Sequence, residues 1–252
     1  MNRYPIDEQS FLSLLRKSLR LHYLTLKHTI AFIICITVVK YFAVWIEDLS
    51  SSLIFQYTID FIAACGIAYF FAAALLATHY AFVDQPDTTK NIMNKINVRV
   101  KPILITFIIY ILGGVLVVLF GKSLGLAVEK FFPTSENAAG FILLVRIILL
   151  FTYIALFYFS FPLAVIDEKP AAKAFYMSVV LTEKQKWGVF ISFFIFAVTV
   201  LLLTPATISE YFFSVYHVDI IFDFIVLCVA VPLYINLLLF LIDNAKKQIV
   251  MN

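Results

Sequence analysis

The chain has 252 residues, of which 63% are hydrophobic and only 14% are charged, and its net charge is +3. A soluble domain is about half apolar and a quarter charged, so this composition excludes an ordinary soluble protein. The apolar runs reach about twenty residues without interruption, the length that an α-helix needs to cross a bilayer. An outer-membrane β-barrel is excluded, because its strands are short segments of about ten residues in which apolar and polar residues alternate. We therefore predict an all-α, polytopic membrane protein that forms a single domain over residues 1–252.

The first predicted element is an N-terminal amphipathic segment over residues 1–27. Its apolar residues recur at helical spacing and include Leu14 and Leu19. Its candidate interfacial cations lie on the other side and are Arg16, Lys17 and Arg20. A helix of this kind is expected to lie in the headgroup region, with its apolar stripe at the acyl boundary.

A bundle of six transmembrane helices is predicted next, over residues 28–242, followed by a cytoplasmic tail over residues 243–252. The predicted spans are His28–Ile46, Tyr57–Phe82, Pro102–Phe120, Phe141–Val165, Val189–Ile208 and Ile220–Ile242. The N-terminal segment, the second and fourth loops and the tail together carry fifteen Lys and Arg residues, whereas the other three loops carry two. The positive-inside rule then predicts that both termini lie in the cytoplasm.

Two further segments that are basic and partly apolar precede the third and fifth spans. They read "TTKNIMNKINVRVK" (88–101) and "AAKAFYMSVVLTEKQKW" (171–187). In the second, Phe175, Val179 and Val180 are predicted to form the apolar face. Its candidate interfacial residues are Lys173, Lys184, Lys186 and Trp187. Three copies of an amphipathic helix followed by two spans predict a threefold helix-hairpin repeat. The alternative is that these segments are solvated loops whose charges only set the topology.

Ionisable residues inside the spans are costly and are therefore candidate functional residues. Five of them lie within roughly 10 Å of the outer surface, judged from the helical rise, and they form a candidate polar cluster: Lys40, Asp60, Arg146, Asp219 and Asp223. We predict that Lys40 pairs with Asp60 and that Arg146 pairs with Asp223. Such a cluster either forms a vestibule for a headgroup or an ion, or consists of structural ion pairs that fix helix packing.

Small and polar residues inside the spans predict helix contacts. Gly113 and Gly114 are expected to permit close approach of another helix, and "GKSLG" (121–125) fits the Gly-x-x-x-Gly pattern of dimerising helices. Asn236 is predicted to form an interhelical hydrogen bond rather than to bind a ligand. The sequence contains no His-Glu-x-x-His, Gly-x-Ser-x-Gly or Cys-x-x-Cys motif. We therefore predict no catalytic, cofactor or metal site.

The N-terminal stretch "FLSLLRKSLRLHYLTL" (11–26) and the stretch "FPLAVIDEKPAAKAFYMSVVLTEKQKW" (161–187) carry a family resemblance. They resemble the YciC-like family of bacterial inner-membrane proteins and the membrane part of some glycerophosphodiester phosphodiesterases. The matching residues are Pro162, Asp167 or Glu168, Ala174, Ser178, Leu181 and Trp187. The resemblance implies a small multi-span protein of the bacterial inner membrane. Those phosphodiesterases catalyse in a separate soluble domain, so their activity is not carried over.

We expect a non-enzymatic inner-membrane protein that acts in membrane or envelope homeostasis. Its expected partners are membrane lipids, with a membrane-protein partner or a second copy of the chain as open alternatives. No cofactor is expected. No nucleic-acid partner is expected either, because every basic cluster adjoins a span and serves topology. The alternative function is a small transporter or lipid-handling protein that uses the outer charged cluster.

Overall fold

The computed structural model describes the backbone of residues 11–47, 49, 52–83, 87–131, 136–203 and 216–251, together with most side chains in these ranges. Within them every regular element is an α-helix. The helices are α1 Phe11–Arg20, α2 His22–Glu47, α3 Leu53–Phe82, α4 Thr89–Phe131, α5 Glu136–Leu156, α6 Ser160–Ile166, α7 Ala171–Leu203 and α8 Tyr216–Met251. The predicted all-helical fold is confirmed for this part of the chain.

Five stretches of the described residues are long and apolar enough to cross a membrane. They are His22–Ile46, Leu53–Phe82, Thr89–Leu126, Ile142–Ile166 and Phe224–Gln248. They correspond to the first four predicted spans and to the sixth, although several begin or end some residues away from the predicted bounds. The remaining predicted span, Val189–Ile208, begins inside α7 and continues past the residues that the structure describes.

The three basic segments are helical, but they join their long helices in different ways. The first is the separate helix α1, which the single residue Leu21 separates from the start of α2 at His22. The second is continuous with α4. The third forms the first half of α7 and meets the second half at a kink, where Gln185 has φ −124° and ψ 28°. The three most extensive helix packings nevertheless join consecutive long helices, namely α2 with α3, α4 with α5 and α7 with α8.

The buried core lies toward one end of the bundle, which we call the basic end because Lys95, Arg99 and Lys246 lie there. The fully buried residues toward the basic end come from α3, α4, α6, α7 and α8. They include Leu75, Ile96, Leu163, Leu181 and Leu238. At the other end, large aliphatic residues of α4 and α5 are exposed, among them Leu116 and Leu143. Exposed aliphatic surface is expected where lipid tails replace water, because lipid is as apolar as the side chains themselves.

The apolar stripes of the second and third basic segments pack inside the protein. Ile92 and Ile96 are buried in the core. In α7 the buried stripe consists of Ala174, Ser178 and Leu181. The predicted apolar face does not supply this buried stripe, since Phe175 and Val180 are half-buried and Val179 is 37% exposed. The physical reason is the short helix α6, which packs on the small side chains of α7.

The helix α1 is also part of the bundle, because it packs on α8 and on α2. Leu14 is buried in the core, whereas Leu12 and Leu19 are exposed. Of the two leucines in the predicted apolar stripe, Leu14 therefore packs inside the protein, whereas Leu19 lies on its surface. Arg16 and Arg20 lie on the same exposed surface as the two outer leucines.

Candidate functional site: a cavity beside a broken helix

The fourth apolar stretch is interrupted between α5 and α6, where Phe157, Tyr158 and Phe159 form a turn. Proline has no N–H, and its ring clashes with the carbonyl four residues earlier, so it breaks a helix that would otherwise run through it. Pro162 stands four residues after Tyr158. The proline therefore favours a break at this point, but Pro102 and Pro232 lie inside the continuous helices α4 and α8, so a proline alone does not decide where a helix breaks.

Hydroxyl groups of α7 satisfy the backbone groups that the break leaves without helical partners. Ser178 Oγ donates to Leu156 O at 2.9 Å and accepts a hydrogen bond from Phe159 N at 3.0 Å. Thr182 Oγ1 donates to Ala155 O at 3.1 Å. Irregular backbone at membrane depth is tolerated only where such partners or a cavity are present. Two hydroxyls of α7 thus hold the break in place.

A cavity of about 390 Å³ lies beside the break, between α3, α4, α5, α6 and α8. Its wall consists mostly of aromatic and aliphatic side chains, and none of the described residues that line it is charged. Three tyrosines, Tyr110, Tyr158 and Tyr234, contribute to the wall. The hydroxyl of Tyr158 is 2.9 Å from Ser192 Oγ, and the rings of Tyr158 and Tyr234 meet edge to face at 5.9 Å. Ligand pockets are typically about 300–1,000 Å³ and mostly apolar with a few polar groups, so this cavity has the size and the lining of a site for an apolar ligand.

The C-terminal end of α6 is joined to two other helices by charged residues at the basic end. Arg99 of α4 forms an ion pair with Glu168 and donates from Nη1 to Val165 O at 3.1 Å. Lys246 of α8 forms an ion pair with Asp167 at 2.6 Å. Glu168 has a positive φ of 54° and lies where the chain turns from α6 toward α7. Asp167 and Glu168, two of the residues that carry the family resemblance, thus hold α6 inside the bundle.

Replacing Arg99 with methionine is expected to lower the free energy of unfolding by about 1.5–3 kcal/mol, because Val165 O loses a hydrogen bond from a charged donor. Glu168→Gln is the matched comparison and should cost less than about 1 kcal/mol, since an exposed ion pair contributes little and the Glu168 side chain is 61% exposed. Unfolding by SDS titration in mixed micelles measures both values. Equal losses in the two variants would contradict this account.

Asp87, in the loop before α4, forms a small polar network outside the membrane-spanning segments. Its carboxylate accepts hydrogen bonds from Lys95 Nζ at 2.7 Å and from Asn91 Nδ2 at 2.7 Å. These hydrogen bonds, that of Lys95 first, hold the pKa of Asp87 below its ordinary value. Because the folded pKa is depressed, the contribution of this network to stability is present above the ordinary carboxyl pKa and is lost as the pH falls through the depressed one.

Asn236 confirms the predicted interhelical hydrogen bond. It is fully buried in α8. Its Nδ2 donates to Ser18 O in α1 at 3.1 Å, and its Oδ1 accepts from Thr25 Oγ1 in α2 at 2.6 Å. One amide therefore fixes both N-terminal helices against α8.

The structure describes the side chains of three of the five residues in the predicted outer cluster, namely Lys40, Asp60 and Arg146. Lys40 is exposed, with Nζ 5.5 Å from the ring centre of Tyr41, and Asp60 is exposed as well. No ion pair joins Lys40 to Asp60 in the described part of the chain. The side chains of Asp219 and Asp223 lie outside the described residues, so the pairing of Arg146 with Asp223 stays a prediction.

Arg146 contacts the two glycines of the Gly-x-x-x-Gly pattern in α4. Its Nε donates to Gly121 O at 3.1 Å. A Cβ atom at Gly125 would overlap the guanidinium of Arg146 and would lie 2.8 Å from Cγ2 of Ile142. The pattern therefore serves the packing of α4 on α5, and both glycines are buried there.

The candidate interfacial residues lie on the surface of the protein. Those that are exposed are Arg16, Arg20, Lys173, Lys184, Lys186 and Trp187, whereas Lys17 is half-buried. The kink at Gln185 separates Lys184 from Lys186. Their exposure is compatible with contact to lipid headgroups.

Sequence reasoning missed the tyrosines of the cavity, Tyr110, Tyr158 and Tyr234. They come from three different parts of the chain, and no spacing connects them. One signal was present: Tyr158 stands four residues before Pro162, at the position whose carbonyl a helix-breaking proline displaces. The clustering of Tyr110 and Tyr234 around that position depends on how the helices pack.

Comparison with known proteins finds no matching family model, no matching curated protein and no matching solved structure, so the cavity and the helix break are the basis for assigning a function.

Proposed function

We propose that this chain is a non-enzymatic protein of the bacterial inner membrane that binds a membrane lipid in its central cavity and so contributes to membrane homeostasis. The cavity of about 390 Å³ carries the proposal. Its apolar wall disfavours a hydrophilic solute, because a polar group without a hydrogen-bond partner is costly to bury. A hydrocarbon chain fits this wall.

The proposed topology has six spans, with both termini in the cytoplasm and the basic end facing the same side. The second half of α7 would continue through Val189–Ile208 as the fifth span. The three consecutive hairpins support a threefold repeat, although their basic segments join the spans differently. Membership of the YciC-like family is part of this proposal and rests on the residues of 11–26 and 161–187. Ser178 and Asp167 of that stretch have structural roles at the break.

A small transporter is the second candidate function, and the broken fourth span favours it. Transporters often place their substrate beside discontinuous helices near the middle of the bilayer. Here the turn at residues 157–159 borders the cavity. The outer charged cluster contributes less to this alternative, since Arg146 is bonded to Gly121 O.

Filling the cavity tests the lipid-binding proposal. Ala64 lines the cavity from α3, so Ala64→Phe is expected to exclude a bound chain. The purified protein is reconstituted with a phospholipid that carries a diazirine in its acyl chain, and cross-linked peptides are mapped by mass spectrometry after illumination. We expect labelling of Phe161 or Tyr234 in the wild type and a loss of at least about fivefold in Ala64→Phe, which corresponds to roughly 1 kcal/mol of binding free energy.

Ile62→Phe is the matched control, because Ile62 is exposed on the same helix and the same ring would project toward lipid. Labelling of the cavity wall should be unchanged in this control. Wild-type labelling confined to the outer faces of α2, α3 and α4 would refute lipid binding in the cavity. Cavity-dependent passage of a solute across the vesicle membrane would favour the transporter.

A further inference from the structure

A second and larger apolar space lies on the side of the bundle, in a groove between α5 and the second half of α7. Its volume is about 690 Å³. Its described lining includes Ile148 and Phe151 of α5 and Phe190 and Phe194 of α7. The groove shares none of its lining residues with the central cavity, so the two spaces are distinct.

The charge of the groove lies toward the end that is lined by Thr182 and Leu156. Lys186 is the single charged residue among the described residues that line it, and Trp187 lies beside it. Lys186 is exposed, and Trp187 is 71% exposed. Tryptophan is enriched at headgroup level, and lysine extends its ammonium toward the headgroups while its stem stays on apolar surface. This end of the groove therefore has the chemistry of a membrane interface.

The length of the groove matches one leaflet. Along α5 it extends from Ile147 to Leu156, nine steps that cover about 14 Å at the rise of an α-helix. The hydrocarbon core of a bilayer is about 30 Å thick, so the groove covers about half of it. A cation at one end and about one leaflet of apolar surface beyond it are the two parts of a site for a single phospholipid.

We propose that this groove binds an anionic phospholipid of the leaflet at the basic end. The ammonium of Lys186 contacts the phosphate, one acyl chain lies along the groove against Phe151 and Phe190, and the indole of Trp187 lies at the level of the headgroup. Lys184, exposed two residues earlier, adds to the attraction for negative charge. This site uses the membrane-spanning placement of α5 and α7 but not the central cavity.

The test uses the fluorescence of Trp187. The chain has two tryptophans, so Trp45→Phe leaves Trp187 as the only one. The protein is reconstituted in vesicles with phospholipids brominated near the glycerol end of the acyl chains, which quench a nearby indole, and the brominated lipid is either anionic phosphatidylglycerol or zwitterionic phosphatidylcholine. We expect half-maximal quenching at a severalfold lower mole fraction of the anionic lipid.

Two variants separate a site from general surface electrostatics. Lys186→Gln should abolish the preference for the anionic lipid, and Lys186→Arg should retain it. Thr152 lines the groove and is exposed on α5, so Thr152→Phe should also abolish the preference by filling the groove although Lys186 is intact. Lys173→Gln, at an exposed lysine outside the groove, is the control and should behave as the parent protein.

Three results would overturn the proposal: equal quenching by the two lipids in the parent protein, a preference that survives Lys186→Gln, or a preference that survives Thr152→Phe. The last result would mean that the basic surface attracts anionic lipid without a groove. Size-exclusion profiles and helical circular dichroism establish that each variant is folded, and Lys186→Arg provides the comparison if Lys186→Gln is unstable. Because the readout is local to Trp187, failure here is distinguishable from failure of lipid binding in the central cavity.

Discussion

Replacing Ser178 with alanine is expected to lower the free energy of unfolding by about 1–3 kcal/mol, the cost of leaving a buried polar group without its partner. Ser178 is fully buried, and its hydroxyl is the acceptor for Phe159 N. The same hydroxyl donates to Leu156 O, which also has Thr182 Oγ1 at 3.5 Å. Most of the expected loss therefore comes from the N–H of Phe159. Unfolding by SDS titration in mixed micelles measures it.

Ser123→Ala is the control for the loss of a serine hydroxyl from a helix. Ser123 is exposed, and its hydroxyl donates to Leu119 O of its own helix at 3.0 Å. A surface change of this kind should alter the free energy of unfolding by less than about 0.5 kcal/mol. If the two alanine variants were equally stable, the hydroxyl of Ser178 would not be what holds the helix break. Loss of cavity labelling in Ser178→Ala, measured with the diazirine lipid, would link the break to lipid binding.

Replacing Gly113 with alanine is expected to destabilise the packing of α4 on α5, whereas the same change at Gly114 is not. A Cβ at Gly113 would overlap the hydroxyl of Tyr153 and lie 2.9 Å from its Cζ, but a Cβ at Gly114 would lie 3.6 Å from the nearest atom of that ring. Displacing Tyr153 would also break its hydrogen bond to Tyr110 O, which is 2.6 Å long. Overpacking of this kind costs about 1–3 kcal/mol.

Helix propensity determines whether Gly114→Ala raises or lowers the stability of the protein. Alanine is favoured over glycine in a helix by about 0.8–1 kcal/mol, and at Gly114 no clash offsets this gain. Gly114→Ala is therefore expected to be neutral or slightly stabilising, and Gly113→Ala to be destabilising after the same gain is included. The same titration in mixed micelles compares the two neighbours. Destabilisation of equal size at both positions would mean that α4 and α5 do not meet through Gly113 and Tyr153.

The glycine pattern shows where sequence reasoning was sound and where it stopped. Close approach of a helix at Gly113 and Gly114 was predictable, because only a residue without Cβ leaves that space. The identity of the approaching helix was not predictable. The same Gly-x-x-x-Gly pattern is compatible with a second copy of the chain or with a neighbouring helix, and here Gly121 and Gly125 receive Arg146 of α5.

The contact of Arg146 likewise depends on how two helices pack. The position of Arg146 within its apolar run predicted a place inside a span, but its contact with the carbonyl of Gly121 was not predictable. A guanidinium inside a span needs an acceptor, and both a carboxylate and a backbone carbonyl satisfy it. The carbonyl of Gly121 is accessible because neither Gly121 nor Gly125 has a side chain to cover it, which is a property of two packed helices rather than of either helix alone.

The sequence by itself determined that the chain is helical and contains several stretches able to span a membrane, because runs of about twenty apolar residues have no other stable form in lipid. It also marked Asn236 as a contact between helices. Only the tertiary structure decided that the interruption borders a cavity, that Ser178 and Thr182 satisfy its backbone, and that Asp167 and Glu168 join α6 to α8 and α4. The physical reason is that periodicity and composition describe one helix at a time, whereas a cavity and a hydrogen-bond partner depend on residues that are distant in sequence and meet only when the helices pack.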